Sequence, residues 1–151
     1  MKVNNSIKAF TIMLVTVLSL SFLSACEKKK DNRITEVNLN TEASVFKNHL
    51  NDGRVYIVNT QKDYEALLGN LITNLPQINF SKHSFVIVWS GTGCLINKSI
   101  DFSTNETNSY DLKINLHLGV CHSVDLWYSA FYIHSKISDN ATINLNINEY
   151  Y

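Results

Sequence analysis

The sequence predicts an α+β domain: a mostly antiparallel β-sheet or small sandwich of about five to six strands, with one N-terminal helix packed on it. Three observations predict this class. Several segments are β-branched and aromatic or alternate between apolar and polar residues, as strands do. A single segment has helical periodicity. The strand-like segments follow one another after short turns, which favours antiparallel pairing because a parallel crossover needs a longer connection.

The first strand and the helix are predicted between residues 54 and 72. RVYIVNT, 54–60, is rich in β-branched and aromatic residues. Thr60 is a suitable N-cap, and Asp63 follows three positions later, close to a capping-box pattern. The next apolar residues recur at the spacing of one helix face. They are Tyr64, Leu67, Leu68, Leu71 and Ile72.

The other strands are predicted after Pro76, the only proline of the chain. HSFVIVWS is a continuous apolar run, typical of a strand buried on both faces. Ser90-Gly91-Thr92-Gly93 is interpreted as the turn that follows it, and SDNA, 138–141, as a later turn. The predicted strands are HSFVIVWS (83–90), CLINKSIDF (94–102), the alternating segment 112–118, DLWYSAFYIHSKI (125–137) and the alternating segment 142–147.

Residues 1–25 are predicted to be a secretory signal peptide. Lys2 and Lys8 precede the segment AFTIMLVTVLSLSFL, 9–23, which contains no charged residue. This run is shorter than the about 20 apolar residues of a membrane-spanning helix. Leu23-Ser24-Ala25-Cys26 resembles the lipobox of bacterial lipoproteins, which implies cleavage before Cys26 and its lipidation. The alternative is an ordinary secretory signal that contains a cysteine.

Residues 26–40 are predicted to be the lipidated cysteine and a polar tether, and 41–151 a single α+β domain. EKKKDNRITEVNLN, 27–40, has few large apolar residues. More than one acyl chain on Cys26 would anchor the protein stably to a membrane. The expected location is the cell envelope. The residue after the cysteine is Glu27 rather than the aspartate associated with inner-membrane retention. This resembles the pattern of lipoproteins sorted to the outer membrane, so the protein is expected on its periplasmic face or at the cell surface.

The charge balance gives no reason to expect a nucleic-acid partner. Removal of the signal peptide takes away two of the 13 basic residues and none of the 13 acidic ones, leaving 11 − 13 = −2. Nucleic-acid binding needs clustered positive charge instead.

Cys94 and Cys121 are predicted to form a structural disulfide once Cys26 is assigned to lipid attachment. An extracytoplasmic compartment is oxidising, and both cysteines lie in or beside predicted strands. Two free thiols, or a metal or redox site with His117 and His122 of HLGVCH, are the alternatives. Because the spacing matches no usual zinc-binding unit, neither a metal nor a cofactor is predicted. The remaining histidines, His49, His83 and His134, are dispersed and predict no cluster.

No catalytic residue is predicted. Ser90-Gly91 lacks the G-x-S-x-G pattern of a nucleophile elbow, and no helical pattern follows the glycines of GTG, 91–93. Trp127, Tyr128 and Tyr132 are instead the candidate partner-binding residues, because aromatic side chains are favoured anchors in interfaces. Packing of both strand faces in the core is the alternative, with Trp127 and Phe131 on one face and the two tyrosines on the other.

Three phrases carry a family resemblance: KDYEALL, LPQINFSKHSFVIVWSGTG and YSAFYIHSKISDNATINLNI. Over roughly residues 55–148 the chain resembles the PrcB-like protease-complex-subunit family and related small bacterial lipoproteins. Asn79-Phe80-Ser81 stands where that family has a DFS phrase, and residues 90–93 stand where it has a glycine turn. The family's doubled glycine and tyrosine after that turn are lacking here. The resemblance implies a noncatalytic, β-rich accessory or interaction domain.

The expected function is therefore that of a membrane-anchored extracytoplasmic lipoprotein with a noncatalytic binding or accessory domain. Its expected partners are the membrane, through the lipid anchor, and another protein. A small extracytoplasmic enzyme with a Cys/His site and a purely structural envelope protein are the alternatives.

Overall fold

Seven strands form two sheets in the part of the chain that the computed structural model describes, residues 33–151. The predicted signal peptide, Cys26 and the beginning of the tether lie outside this part. The elements are β1 (Ile34–Glu36), a 3-10 helix (Ala43–Phe46), β2 (Val55–Val58), α1 (Gln61–Leu68), β3 (Ser84–Thr92), β4 (Leu95–Glu106), β5 (Ser109–Leu118), β6 (Asp125–Ile133) and β7 (Thr142–Tyr150).

The two sheets differ in their pairing. The first sheet has the order β1-β6-β3-β2 and is antiparallel throughout. The second sheet has the order β4-β5-β7, with β4 and β5 antiparallel and β5 and β7 parallel. The parallel pair arises because β6, which comes between β5 and β7 in the sequence, belongs to the first sheet. The chain thus crosses to the other sheet and returns.

The first sheet separates two apolar clusters, because successive side chains of a strand point to opposite faces. On β3, Phe85, Ile87 and Trp89 face the helix-side cluster, which includes Tyr64 and Leu68 of α1. The alternate residues of β3 face the cluster between the sheets, together with the inward-facing residues of β5. The described domain is therefore layered as helix, sheet and sheet, and the prediction that β3 is buried on both faces is confirmed.

The predicted class, mostly β with a helix, is confirmed at this level, but two details of it are wrong. In the described residues the strands number seven rather than five to six, and the helix is not N-terminal, because β1, the 3-10 helix and β2 precede it. All six segments predicted as strands contain one, and β1 is the strand that was missed. It has only three residues and is held by pairing with β6, which sequence periodicity over so short a segment does not reveal.

The folded region also includes part of the segment predicted as tether. Ile34 to Glu36 pair with Phe131 to Ile133 of β6, and Leu39 is 1% exposed in the helix-side cluster. Residues 33–40 therefore belong to the domain, although their composition is polar.

The N-terminus of α1 agrees with its prediction, whereas its C-terminus does not. The Thr60 hydroxyl accepts a hydrogen bond from the Asp63 amide at 3.1 Å, as an N-cap does. The helix ends at Leu68, so Leu71 and Ile72 lie beyond it. Ile72 remains buried, and its amide still donates to the Leu68 carbonyl at 3.0 Å.

The turn predicted at residues 90–93 begins later than expected. Ser90, Gly91 and Thr92 continue β3 and pair with Trp127, Leu126 and Asp125 of β6. A Cβ atom on Gly91 would lie 3.2 Å from Val124 Cγ1 and 3.3 Å from Leu126 Cδ2. This glycine thus permits close packing within the strand rather than a reversal of the chain.

Within residues 33–151, no helix combines the length and the apolar character that a membrane-crossing helix needs.

Candidate functional site

Cys94 and Cys121 are bonded to each other, as predicted, with their Cα atoms 5.6 Å apart. The disulfide joins the residue before β4 to the loop after β5. Beside it, the Gly119 amide donates to the Cys94 carbonyl at 2.7 Å. In this disulfide neither sulfur atom is a free thiol, as the alternative of two free thiols or a metal or redox site requires. His117, from the same alternative, stacks on Tyr150 with ring centroids 5.2 Å apart.

The three aromatic residues predicted to bind a partner do not form one surface. Trp127 is 3% exposed and lies in the cluster between the sheets. Tyr128 lies on the opposite face of β6, half-buried, with its ring 5.2 Å from that of Phe46 in an edge-on arrangement. Tyr132 packs instead against His83 and His134, at the other end of β6.

The prediction that the dispersed histidines form no cluster is wrong for His83 and His134, because pairing of β3 with β6 brings their rings together beside Tyr132. Their ring centroids are 5.6 Å apart, and Tyr132 lies within 5.2 Å of both. The Thr35 hydroxyl is hydrogen-bonded to His134 Nε2 at 2.8 Å. The cluster contains only two ligand-type side chains. Over the described residues, no group of three or more His, Cys, Asp or Glu side chains is placed to hold a metal ion.

A groove of ≈ 510 Å³ lies where β4 of the second sheet passes β6 of the first. We call it the Lys98 groove. Its walls combine apolar side chains with one lysine and one glutamate. The lining residues are Glu36, Val37, Asn38, Ala43, Leu95, Lys98, Leu126, Trp127, Tyr128 and Ala130.

Lys98 reaches into this groove because it occupies an inward-facing position of an edge strand. It pairs with Leu116, whose side chain is fully buried in the core, and it shares a face with Ile100 and Phe102. Its ammonium group donates to the Tyr128 carbonyl and, at 3.1 Å, to the Ser129 hydroxyl. It also lies 5.6 Å from the centroid of the Tyr128 ring, within the range of a cation–π contact.

The electrostatics of Lys98 reflect its burial. Removal from water disfavours the charged form and lowers the pKa of Lys98 below its usual value, while the negative charge of Glu36 partly opposes this effect. A partly desolvated ammonium group interacts more strongly with an opposite charge than an exposed one does. The groove thus contains the positive charge of Lys98 next to the negative charge of Glu36.

The open edge of β6 forms one wall of the groove. β1 pairs with residues 131–133, and the last backbone–backbone hydrogen bond along this edge runs from the Val37 amide to the Ala130 carbonyl at 2.8 Å. Because backbone groups alternate in direction along a strand, those of Leu126 and Tyr128 point to the same side as those of Ala130. No described strand pairs with them there. The Lys98 side chain takes the place of a strand at the Tyr128 carbonyl.

One feature of the sequence points to this site, although it is neither a motif nor a bias in composition. In CLINKSIDF, Lys98 alternates in step with Ile100 and Phe102, so a charged residue stands on the apolar side of a predicted strand. Such a lysine is buried unless it lies at the margin of the sheet, and buried lysines are rare without partners.

No protein-family model matches the chain, and no curated protein and no solved structure is similar to it. The resemblance to the PrcB-like family therefore stays a prediction.

Proposed function

We propose that this protein is a lipid-anchored, extracytoplasmic binding domain without catalytic activity, and that it holds an extended, acidic peptide segment of a protein partner in the Lys98 groove. One observation carries the proposal: a half-buried lysine lies directly beside an open strand edge, in a groove of ≈ 510 Å³.

Strand addition supplies the main-chain part of the binding. A peptide laid along β6 would hydrogen-bond to the backbone groups of Leu126 and Tyr128, as in other complexes in which an extended segment lengthens a sheet. A peptide N–H would donate to the Tyr128 carbonyl in place of Lys98. The ammonium group of Lys98 would then be released toward the peptide.

The side chain of Lys98 supplies the chemical preference. Once released, it would pair with an aspartate or glutamate of the peptide through charge-assisted hydrogen bonds, which are roughly twice as strong as neutral ones. Leu95, Leu126 and Val37 offer apolar contacts to the residues on either side. An acidic residue between apolar neighbours therefore fits the groove.

The disulfide supports a noncatalytic role over the Cys/His alternative. Cys94 and Cys121 are joined to each other, and a disulfide sulfur is not the thiolate that a cysteine enzyme uses as its nucleophile.

The lipid anchor belongs to the same proposal and rests on the LSAC motif at residues 23–26. Cells fed labelled palmitate should incorporate the label into the wild-type chain and not into Cys26→Ser. Equal labelling of the two proteins would rule out attachment at Cys26.

Peptide binding by the full chain in detergent tests the groove. The probes are a fluorescent Thr-Val-Asp-Val-Thr peptide and the same peptide with asparagine in place of aspartate, followed by fluorescence anisotropy. We expect the wild type to bind the aspartate peptide at least tenfold more tightly, and Lys98→Met to lose this preference. Lys113→Met removes an exposed lysine from the second sheet and serves as the control. An unchanged preference in Lys98→Met, or no binding of either peptide to the wild type, would contradict the proposal.

A further inference from the structure

The four sheet edges of the described domain differ in how well they are protected against pairing with another chain. Natural proteins shield edges by keeping them short, by bulges, and by lysine or proline. β1 has three residues and β2 has four. β4 contains two register shifts and the inward-facing Lys98. These three edges each carry at least one protecting feature.

β7 is neither short nor bulged, and its one inward-facing charge, Glu149, lies near its end. It has nine residues, TINLNINEY, with no lysine, arginine or proline. It pairs with β5 in an unbroken register from Thr142 to Tyr150, without a bulge. A long, regular and nearly uncharged edge is the kind that pairs with another strand.

The direction of the backbone groups on β7 follows from one hydrogen bond. The Thr142 amide donates to the Asn108 carbonyl at 2.9 Å, on the side of β5. Even-numbered residues of β7 therefore direct their N–H and C=O groups toward β5, and odd-numbered residues direct theirs away from it. The residues whose backbone groups point away from β5, toward the open edge, are Ile143, Leu145, Ile147 and Glu149.

We propose that β7 pairs with β7 of a second copy of this chain, antiparallel and around a two-fold axis at Asn146. This register uses every residue of the strand. It places Leu145 opposite Ile147 of the second copy, on the face that packs against the core. It also places Asn144 opposite Asn148 on the solvent face.

The charges and the apolar side chains of β7 are compatible with this self-pairing. Glu149 is the only charged residue of the strand, and it lies opposite Ile143, so that no like charges meet. Ile143, Leu145 and Ile147 are only half-buried at the margin of the cluster between the sheets. A second copy would cover their open sides and join the two three-stranded sheets into one continuous sheet. The interface lies at the edge of the second sheet opposite β4, so it does not involve the Lys98 groove.

Disulfide cross-linking of the full chain in membranes tests the register. Asn146 would face itself as a pair without backbone hydrogen bonds, with Cα atoms about 4.5 Å apart, a distance that a disulfide can bridge. Under mild oxidation, Asn146→Cys should give a dimer on a non-reducing gel. Lys113 is the neighbour of Asn146 on β5, so Lys113→Cys would place its Cα atoms about three strand spacings apart, roughly 14 Å.

The proposal predicts a dimer band for Asn146→Cys that exceeds those of Lys113→Cys and of the wild type, which reports any cross-linking through native cysteines. Equal bands in all three proteins, or no dimer for Asn146→Cys, would overturn it.

A charge at the two-fold axis provides the second test, by sedimentation of the full chain in detergent. Asn146→Lys would bring two ammonium groups together, so we expect a monomer. Ser103→Lys adds the same charge to the exposed face of β4 and should remain a dimer like the wild type. Circular dichroism verifies that both variants are folded. A monomeric wild type at about 100 µM, or a dimeric Asn146→Lys, would contradict self-pairing through β7.

Discussion

Burial changes the proton affinity of two side chains, Tyr64 in the helix-side core and Lys98 in the groove. The Tyr64 hydroxyl is buried and has no hydrogen-bond partner among the described residues. Desolvation raises the pKa of Tyr64 to about 12. Its ring is nevertheless well packed, with the Phe85 ring 4.8 Å away and the Phe80 ring 5.5 Å away. The hydroxyl thus costs free energy, whereas the ring stabilises the core.

Tyr64→Phe should therefore raise the free energy of unfolding, by about 1 kcal/mol at pH 7, because it removes an unsatisfied buried hydroxyl and keeps the ring. The same change should alter the alkaline limb of the stability curve. The pKa of Tyr64 in the folded protein lies above its usual 10.0, so the unfolded chain loses this proton first and stability falls as the pH rises from 10 toward 12.

Urea unfolding at pH 7 and between pH 9 and 11 would measure both effects, with Tyr56→Phe as a matched control, since the Tyr56 hydroxyl accepts a hydrogen bond from the Asn51 amide at 2.8 Å. A loss of stability in Tyr64→Phe as large as in the control would show that the Tyr64 hydroxyl has a partner.

Lys98 should affect stability in the opposite pH direction. Burial lowers the pKa of Lys98 below its usual 10.5, so the folded protein releases this proton before the unfolded chain does. The wild type should then gain stability relative to Lys98→Met as the pH rises toward 10.5, and the difference should be constant at neutral pH. Paired urea titrations at pH 7, 8, 9 and 10 measure this trend. A difference that stays constant up to pH 10 would mean that Lys98 is solvated.

At the scale of elements, the pattern of side chains predicted most strands, because alternation and apolar runs record which faces are buried. The alternation within β5 and β7 and the N-cap at Thr60 are examples. β1 could not be predicted, because Ile34 to Glu36 are a strand only through their pairing with β6. Gly91 was predicted to lie in a turn, but it lies within β3, where its small size permits the packing of Val124 and Leu126.

Leu39→Ala tests whether residues 33–40 belong to the domain. Leu39 is 1% exposed, and truncating a fully buried leucine to alanine usually costs about 2 to 5 kcal/mol. Asn38→Ala changes the exposed neighbouring residue and should cost less than about 1 kcal/mol. Urea denaturation of the three proteins gives the comparison. If Leu39→Ala were as stable as the wild type, residues 33–40 would behave as the tether that their composition suggests.

At the scale of the whole molecule, the disulfide and the groove illustrate the limit of sequence reasoning. The Cys94–Cys121 pair was predictable from cysteine counting, because only two cysteines remain once Cys26 is assigned to lipid. The Lys98 groove was not, because it forms where edges of two different sheets meet. The relative position of Tyr128 and Lys98 depends on the packing of the sheets, and neither local periodicity nor a motif encodes it.

The disulfide should contribute substantially to the stability of the whole domain. It spans a sequence separation of 27 residues, for which the loss of chain entropy in the unfolded state is worth about 3 to 4 kcal/mol. The double variant Cys94→Ala/Cys121→Ala should lose this amount in urea titrations, and a reducing agent should lower the stability of the wild type to the same value. A double variant that unfolds at the same urea concentration as the oxidised wild type would contradict this expectation.

Amide hydrogen exchange of the full chain, with and without the Thr-Val-Asp-Val-Thr peptide, tests the central claim most directly. The account predicts that saturating peptide slows the exchange of the Leu126 and Tyr128 amides, which face the open edge of β6, and that Lys98→Met greatly weakens this protection at the same peptide concentration. Peptide binding that leaves both amides unprotected, or that protects residues elsewhere in the domain instead, would contradict it.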